Sequence, residues 1–463
     1  MNAGLINKTV VGAAGAVGIV ALCLWICAEP SRDFTERVPG MDRQPASRQG
    51  QGESAVLLGA LTLSEGTPSD LPGTWPNFRG PNLDNISRSP FKPVAAGQGF
   101  PECWSVEMGE GHAGAAVWQG RVYVLDYDRE GGKDTLRCLS LDDGREIWRY
   151  AYPVKVKRNH GMSRTVPAVT EGSVVALGPK CHVICCDPVS GEYRWSLDLV
   201  RDFGTKVPPW YAGQCPLIDG DRAIIAPGGV SLVMAVALES GEVLWESSND
   251  MDWKMTHASI LPMEFGGERF YVYCGSGGVV GVSATDGRIL WATEEWRIRM
   301  ATVPTPVDVG QGRIFLSGGY EAGSMMLQLE MQADRIVPRG LFRLEDDRFG
   351  SAQQTPILFE DHIFGVRPDG QLVCLDLEGN EVWTSTGAHK FGLGPYAVAG
   401  DLIYVMNDHG LLSRVVADPD TFRLVDQTQV LQGHDSWGPM AFAKGRLIVR
   451  DLTRMVCLDV AED

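Results

Sequence analysis

A chain of 463 residues, 44% hydrophobic and 21% charged, can bury a large core, and its 55 glycines mark many turns. The formal charge of −17 excludes a general affinity for nucleic acid phosphates, which basic surfaces attract. The 11 cysteines include no C-x-x-C pair, so neither a zinc ribbon nor a thioredoxin-type redox motif is written here.

Residues 10–28 form a charge-free run of 19, preceded by Lys8 and followed by Glu29. A helix of that length spans about 28 Å at roughly 1.5 Å per residue, close to the hydrocarbon thickness of a bilayer. Residues 1–28 are therefore read as an N-terminal transmembrane helix that anchors the chain. A cleaved signal sequence is the alternative, although Ile26 and Cys27 before Ala28 fit poorly the small residues that cleavage favours. Both readings place the remaining chain outside the cytoplasm, facing the periplasm or cell exterior. Residues 29–73, rich in Pro, Ser, Gln and Gly, read as a flexible linker, with one apolar patch at 55–63 able to form a helical turn or a partner contact.

Beyond residue 74 a unit of short apolar strands recurs, ending in a glycine with a tryptophan four residues later. The pairs are Gly144 and Trp148, Gly191 and Trp195, Gly241 and Trp245, and Gly287 and Trp291. Successive tryptophans lie 47, 50 and 46 residues apart, and Trp383 follows Trp291 by 92, twice 46, so one unit between them has lost its tryptophan. That unit reaches the neighbourhood of Leu341 and Phe342, and a degenerate seventh carries Phe422 near the tryptophan position. The eighth supplies strands at 446–449 and 455–459 and then the chain ends without its outer strand. Upstream, an orphan strand around Cys103, Trp104 and Val106 stands ready to pair there and close the ring. Strand-period units of this length predict an all-β, eight-bladed β-propeller of four-stranded antiparallel blades over residues 74–463, with the glycines and tryptophans docking one blade on the next.

The repeated Gly-x-x-x-Trp resembles the tryptophan-docking repeat of the pyrroloquinoline quinone (PQQ) propeller superfamily, over roughly residues 101 to 460. The run Trp75, Pro76, Asn77, Phe78, Arg79, Gly80 and Pro81 is similar to the entry motif of exported bacterial PQQ-like repeat proteins. The resemblance implies one of two classes. Quinoprotein dehydrogenases hold PQQ and calcium at the propeller axis, whereas the non-enzymatic branch includes the propeller lipoprotein of the outer-membrane β-barrel assembly machine.

The residues lean away from catalysis. Cys185 and Cys186 tempt assignment as the vicinal disulfide of a quinoprotein, but they fall inside a predicted strand, and Cys138, Cys374 and Cys457 recur in similar contexts as small core residues. No Asp and Asn arrangement for calcium, no zincin histidine pair and no serine elbow is present. No catalytic residue, metal site or cofactor is expected, with PQQ and calcium belonging only to the alternative of a quinoprotein oxidoreductase. The loops that lead into each inner strand should crowd the mouth of the central channel, and they gather basic and aromatic residues in an acidic chain. The candidate ligand-binding set is His112, His160, Arg164, Tyr211, Gln214, His257, Arg299, Gln353, Lys390, Tyr396, His434 and Trp437, with Trp210 and Gln354 in the same loops. Such a mouth suits an anionic or carbohydrate-like ligand, or an acidic segment of an envelope protein partner.

Overall fold

Each repeat's glycine lies where an indole from the preceding repeat must fit. Gly144 and Gly191 take φ values of +70° and +76°, which side chains disfavour, and a Cβ on either would fall within 2.8 Å of Trp104 or Trp148. Gly241 and Gly287 receive Trp195 and Trp245 in the same way. In the unit without a tryptophan, Phe342 takes the position and rests on Gly379. The indole Nε1 groups of Trp104, Trp148, Trp195 and Trp383 then donate to the carbonyls of Leu141, Pro188, Leu238 and Asp418 in the following blade.

Opposite each tryptophan across the strand pair stands a small residue: Cys138, Cys185, Ala235, Gly281, Cys374 or Cys457. The cysteines are thus the small floor beneath an indole, as their sequence context predicts.

The computed structural model describes residues 54–462 together with 19, 20 and 22. Eight sheets form the blades, the first seven each containing four consecutive antiparallel strands from Ala116–Trp118 onward and the eighth three, Ala441–Ala443, Arg446–Arg450 and Arg454–Asp459, completed by an N-terminal strand. The first strands of neighbouring blades touch one another and ring the axis, as Ala116–Trp118 does with Ala168–Val169 and with Ala441–Ala443. Apolar side chains pack between blades, for example Val175, Leu177 and Trp195 against Ile225, Met234 and Val236. The strand Glu102–Glu107 pairs with Arg454–Asp459, Trp104 facing Cys457 and Val106 facing Met455, so the eighth blade is closed by the N-terminal strand as the sequence predicts.

Two additions were not legible in the repeat. Ala60–Leu63 adds a fifth strand to the outer edge of the first blade, pairing with Glu146–Pro153, and Ile86–Ser87 runs parallel to the inner strand Tyr396–Ala399 of the seventh. The first corrects the reading of 29–73 as a flexible linker. From Ser54 onward that stretch is packed on the propeller, with a 3-10 turn at Ala55–Leu58, a fully buried Val56 whose carbonyl accepts from the Tyr150 hydroxyl at 2.9 Å, and Ser69 bonded to Gly120. An outer strand has one unpaired edge, and the short apolar patch satisfies it. The start of the linker, and the anchor at 1–28 apart from residues 19, 20 and 22, lie outside the described residues. No described helix is long and apolar enough to cross a membrane.

Between these two additions the chain crosses the channel. Trp75 bridges to Val117 of the first inner strand and the Pro76 carbonyl accepts from Val169 of the second. Arg79 donates to the Pro356 carbonyl at 2.9 Å beside the sixth, and Asn85 to that of Tyr396 at 2.7 Å in the seventh. The segment enters beside the turn at Gly120 and leaves beside the one at Gly400, so it plugs the channel from the face that carries the turns between first and second strands.

Candidate functional site

The opposite face is open, and there the loops that precede the inner strands surround a cavity of ≈300 Å³ floored by Phe78 of the plug. His112, His160, Arg164, Trp210, Cys215, His257, Ser259, Gln353, Gln354 and Trp437 line it from seven such loops together with Ala301 and Val303. Tyr320 joins them from the hairpin between Arg313–Gly318 and Gly323–Gln332.

Arg164 dominates the electrostatics. Its Nε donates to the Trp210 carbonyl at 2.5 Å, and Nη2 to the carbonyls of His160 at 2.6 Å and Asn159 at 3.2 Å. Every acceptor is a neutral carbonyl. No ion pair to Arg164 occurs among the described residues, and no Asp or Glu lines the cavity. Burial lowers the guanidinium to about 10, which leaves it charged at neutral pH.

That cation and their own burial keep the two nearby histidines neutral. His112 is pushed down to about 3, first by burial and then by Arg164 and Arg450, and His257 to about 4, first by burial and then by Arg164. His112 Nε2 lies 3.0 Å from the His160 carbonyl, which makes Nε2 the protonated nitrogen and leaves the buried Nδ1 a bare acceptor without a partner. The ring stacks on Trp437 with centroids 5.2 Å apart, and Trp437 Nε1 is held by Asp408 at 2.7 Å. Gln354 donates to the Trp437 carbonyl, fixing that loop to the sixth blade's. The result is a bowl with one uncompensated positive charge, aromatic walls and the neutral imidazoles of His112 and His257.

Six of the candidate residues, His112, His160, Arg164, His257, Gln353 and Trp437, meet at this cavity. The other six stand elsewhere for identifiable reasons. Tyr211 turns away, its ring under the Lys180 ammonium and its hydroxyl donating to the Lys157 carbonyl at 2.6 Å. Gln214 is fully buried and pairs both ends of its amide with the backbone of Ala226. Tyr396 belongs to an inner strand rather than a loop, is fully buried and meets Ser351. Arg299, Lys390 and His434 are exposed and do not line the cavity. Phe78 and Tyr320 were not foreseen. The entry motif around Phe78 was visible in the sequence, but its passage through the channel was not.

The donors do not suit calcium. Calcium needs several anionic oxygens, and the cavity wall offers none. Cys185 and Cys186 are buried in the third strand of the second blade as free thiols, with burial raising Cys185 to about 11. Asn249 is spent on its own turn, bonding Gly229 and Trp253.

A family model described as outer membrane protein assembly factor BamB matches residues 101–180 and 132–384. Outer membrane protein assembly factor BamB of Shewanella oneidensis is 24% identical over 273 residues, 55% of this chain. The match spans 64% of that relative's length, less than two thirds. Among solved structures, BamB from Moraxella catarrhalis superposes with a TM-score of 0.55 at 13% identity, covering 78% of this chain and 99% of its own. The computationally designed Ika8 protein gives 0.52 at 11% identity, covering 77% and 99%. At these identities the superpositions establish the propeller fold alone.

Proposed function

Because the chain belongs to the PQQ-like propeller family whose model is described as outer membrane protein assembly factor BamB, we propose that it is a non-enzymatic scaffolding propeller of the cell envelope that holds a partner protein or ligand by an acidic group seated in its central cavity. The observation that carries this reading is Arg164, a half-buried cation whose hydrogen-bond acceptors are all neutral carbonyls, in a cavity with no carboxylate of its own. A carboxylate entering the bowl would gain a charge-assisted bond to the guanidinium, while the walls of Trp210 and Trp437 cover its apolar stem. The neutral His112 Nδ1 would accept from an amide or hydroxyl beside that carboxylate. Residues 1–28 are the proposed membrane attachment, and a chain lacking them should be released from the membrane fraction by alkaline carbonate.

The test uses a fluorescein-labelled oligo-glutamate peptide and fluorescence anisotropy. Arg164→Gln keeps an amide donor toward the surrounding carbonyls, and its binding should be weaker by about tenfold, the equivalent of about 1.4 kcal/mol. Equal binding by the variant and the parent protein overturns the central-cavity reading.

A further inference from the structure

We propose that Cys103 and Cys457 form a disulfide that staples the N-terminal strand to the C-terminal strand and covalently closes the propeller ring. The two strands pair with an irregular register, from Glu102 opposite Leu458 to Trp104 opposite Cys457, so Cys103 is the extra residue of a bulge. In a bulge two residues on one strand face one on the other, which sets both Cys103 and Trp104 against Cys457. Directly opposed residues of antiparallel strands have Cα atoms about 4.5 to 5.5 Å apart, inside the range of about 4.4 to 6.8 Å that a disulfide bridges.

The same bulge recurs in all seven other blades, where its extra residue is Ile147, Arg194, Leu244, Leu290, Leu341, Val382 or Val425. Three of those blades also carry a cysteine beneath the tryptophan, yet none has a second cysteine in the bulge. The pair occurs in the one blade whose strands come from opposite ends of the described chain, where a covalent link closes the largest loop.

Access favours the same bond. Cys103 is half-buried, whereas the other eight described cysteines are buried. The neighbouring Cys457 thiol holds the Cys103 thiol below its ordinary value against the effect of burial, with Arg446 acting in the same sense. Cys457 is correspondingly raised, by Cys103 and by burial. The Cys103 thiolate attacks one sulfur of a donor disulfide, either glutathione disulfide or a thiol–disulfide oxidoreductase, and expels one donor thiolate. With that sulfur now in a mixed disulfide, Cys457 no longer faces a neighbouring thiolate. It gives up its proton, attacks the Cys103 sulfur and expels the second donor thiolate. Two protein thiols lose two electrons and two protons, and the donor disulfide becomes two thiols. In the cell this requires the oxidising compartment of the envelope reading, but the chemistry itself requires only the donor.

The test treats the reduced full-length protein with glutathione disulfide at pH 8, blocks the remaining thiols and maps the peptides by mass spectrometry. The expected result is a peptide linking Cys103 to Cys457, with the thermal midpoint of the oxidised protein raised by roughly 5 °C over the reduced form. The shift should vanish in Cys103→Ser, whose half-buried site tolerates the change. Both thiols blocked in the treated protein, or glutathione retained on Cys103, would overturn the proposal whatever the variant does. Success of this staple with failure of Arg164→Gln to weaken peptide binding would remove the cavity reading alone.

Discussion

The Trp148 indole rests on Gly191 of the next blade, where an added Cβ would fall 2.6 Å from the ring, and its Nε1 reaches the Pro188 carbonyl of the same turn at 3.3 Å. Blade order is thus maintained by a ring in one repeat and the lack of a side chain in the next. Gly191→Ala meets both the positive φ of 76° and the ring contact. The substitution should cost about 2 to 4 kcal/mol, combining backbone strain with overpacking. Urea denaturation should show a lower midpoint, whereas Ala at Gly172, with nothing within 4 Å and no positive φ, should leave it nearly unchanged.

Two tryptophans of the repeat separate packing from hydrogen bonding. Trp195 Nε1 donates to the Leu238 carbonyl at 2.8 Å, but the buried Nε1 of Trp245 has no partner. Replacement by Phe keeps most of the ring contact at both sites. Trp195→Phe also orphans a carbonyl and should cost about 1 kcal/mol more than Trp245→Phe, read from paired denaturation curves.

How far the sequence could be read follows the same division. A glycine and a ring at fixed spacing report contacts that recur, so the blades, Phe342 in the unit lacking its tryptophan and the closure at Trp104 were all legible. The cavity was half legible because loop position indicates which face a residue reaches but not where its side chain turns. Arg164 points inward because four carbonyls capture it, while Tyr211, in the adjacent loop, is drawn off by Lys157 and Lys180. The segment 75–87 was illegible as a plug because it occurs once, and nothing in its own pattern names the strands it joins.

Asp134 is fully buried, accepts from the Tyr152 hydroxyl at 2.5 Å and has an Oδ1 with no partner. Burial raises its carboxyl to about 7, above the ordinary 3.8, despite the opposing hydrogen bond from Tyr152. The folded state therefore binds a proton that the unfolded chain has released, so this group's contribution is fully present below about pH 4 and is lost as pH rises toward 7. Asp134→Asn should remove that downward slope, worth at most about 4 kcal/mol across the window. Parallel denaturation series at pH 4.5 and 7.5 measure it, and identical pH profiles for variant and parent would rule the account out.

The cavity histidines act with the opposite sign. His112 at about 3 and His257 at about 4 are both depressed below 6.5, so the unfolded chain takes up protons that the folded chain refuses. Their contribution is fully present above about pH 6.5 and is lost as pH falls through 4 and then 3. His257→Gln should flatten the acid limb between pH 6.5 and 4. Proton NMR of the imidazole resonances supplies a direct check, since a His257 signal titrating near 6.5 would contradict the burial and the Arg164 field together.

The packed stretch before the propeller makes the last prediction. Val56 is fully buried against the first blade, and its carbonyl receives the Tyr150 hydroxyl, while Ala60–Leu63 hydrogen-bonds the edge strand Glu146–Pro153. Val56→Asp places an unpaired carboxylate in that contact, a cost of several kcal/mol that exceeds what a four-residue strand regains by docking. The segment should detach while the blades remain closed, since Trp148 still seats on Gly191 and bonds Pro188 when the neighbouring Leu61 is lost. Hydrogen exchange should therefore rise at the amides of 60–63 and on the outward-facing amides of 146–153 but stay unchanged at Val174–Leu177 of the second blade. Unaltered protection across 60–63 would mean that Val56 does not hold the strand in place.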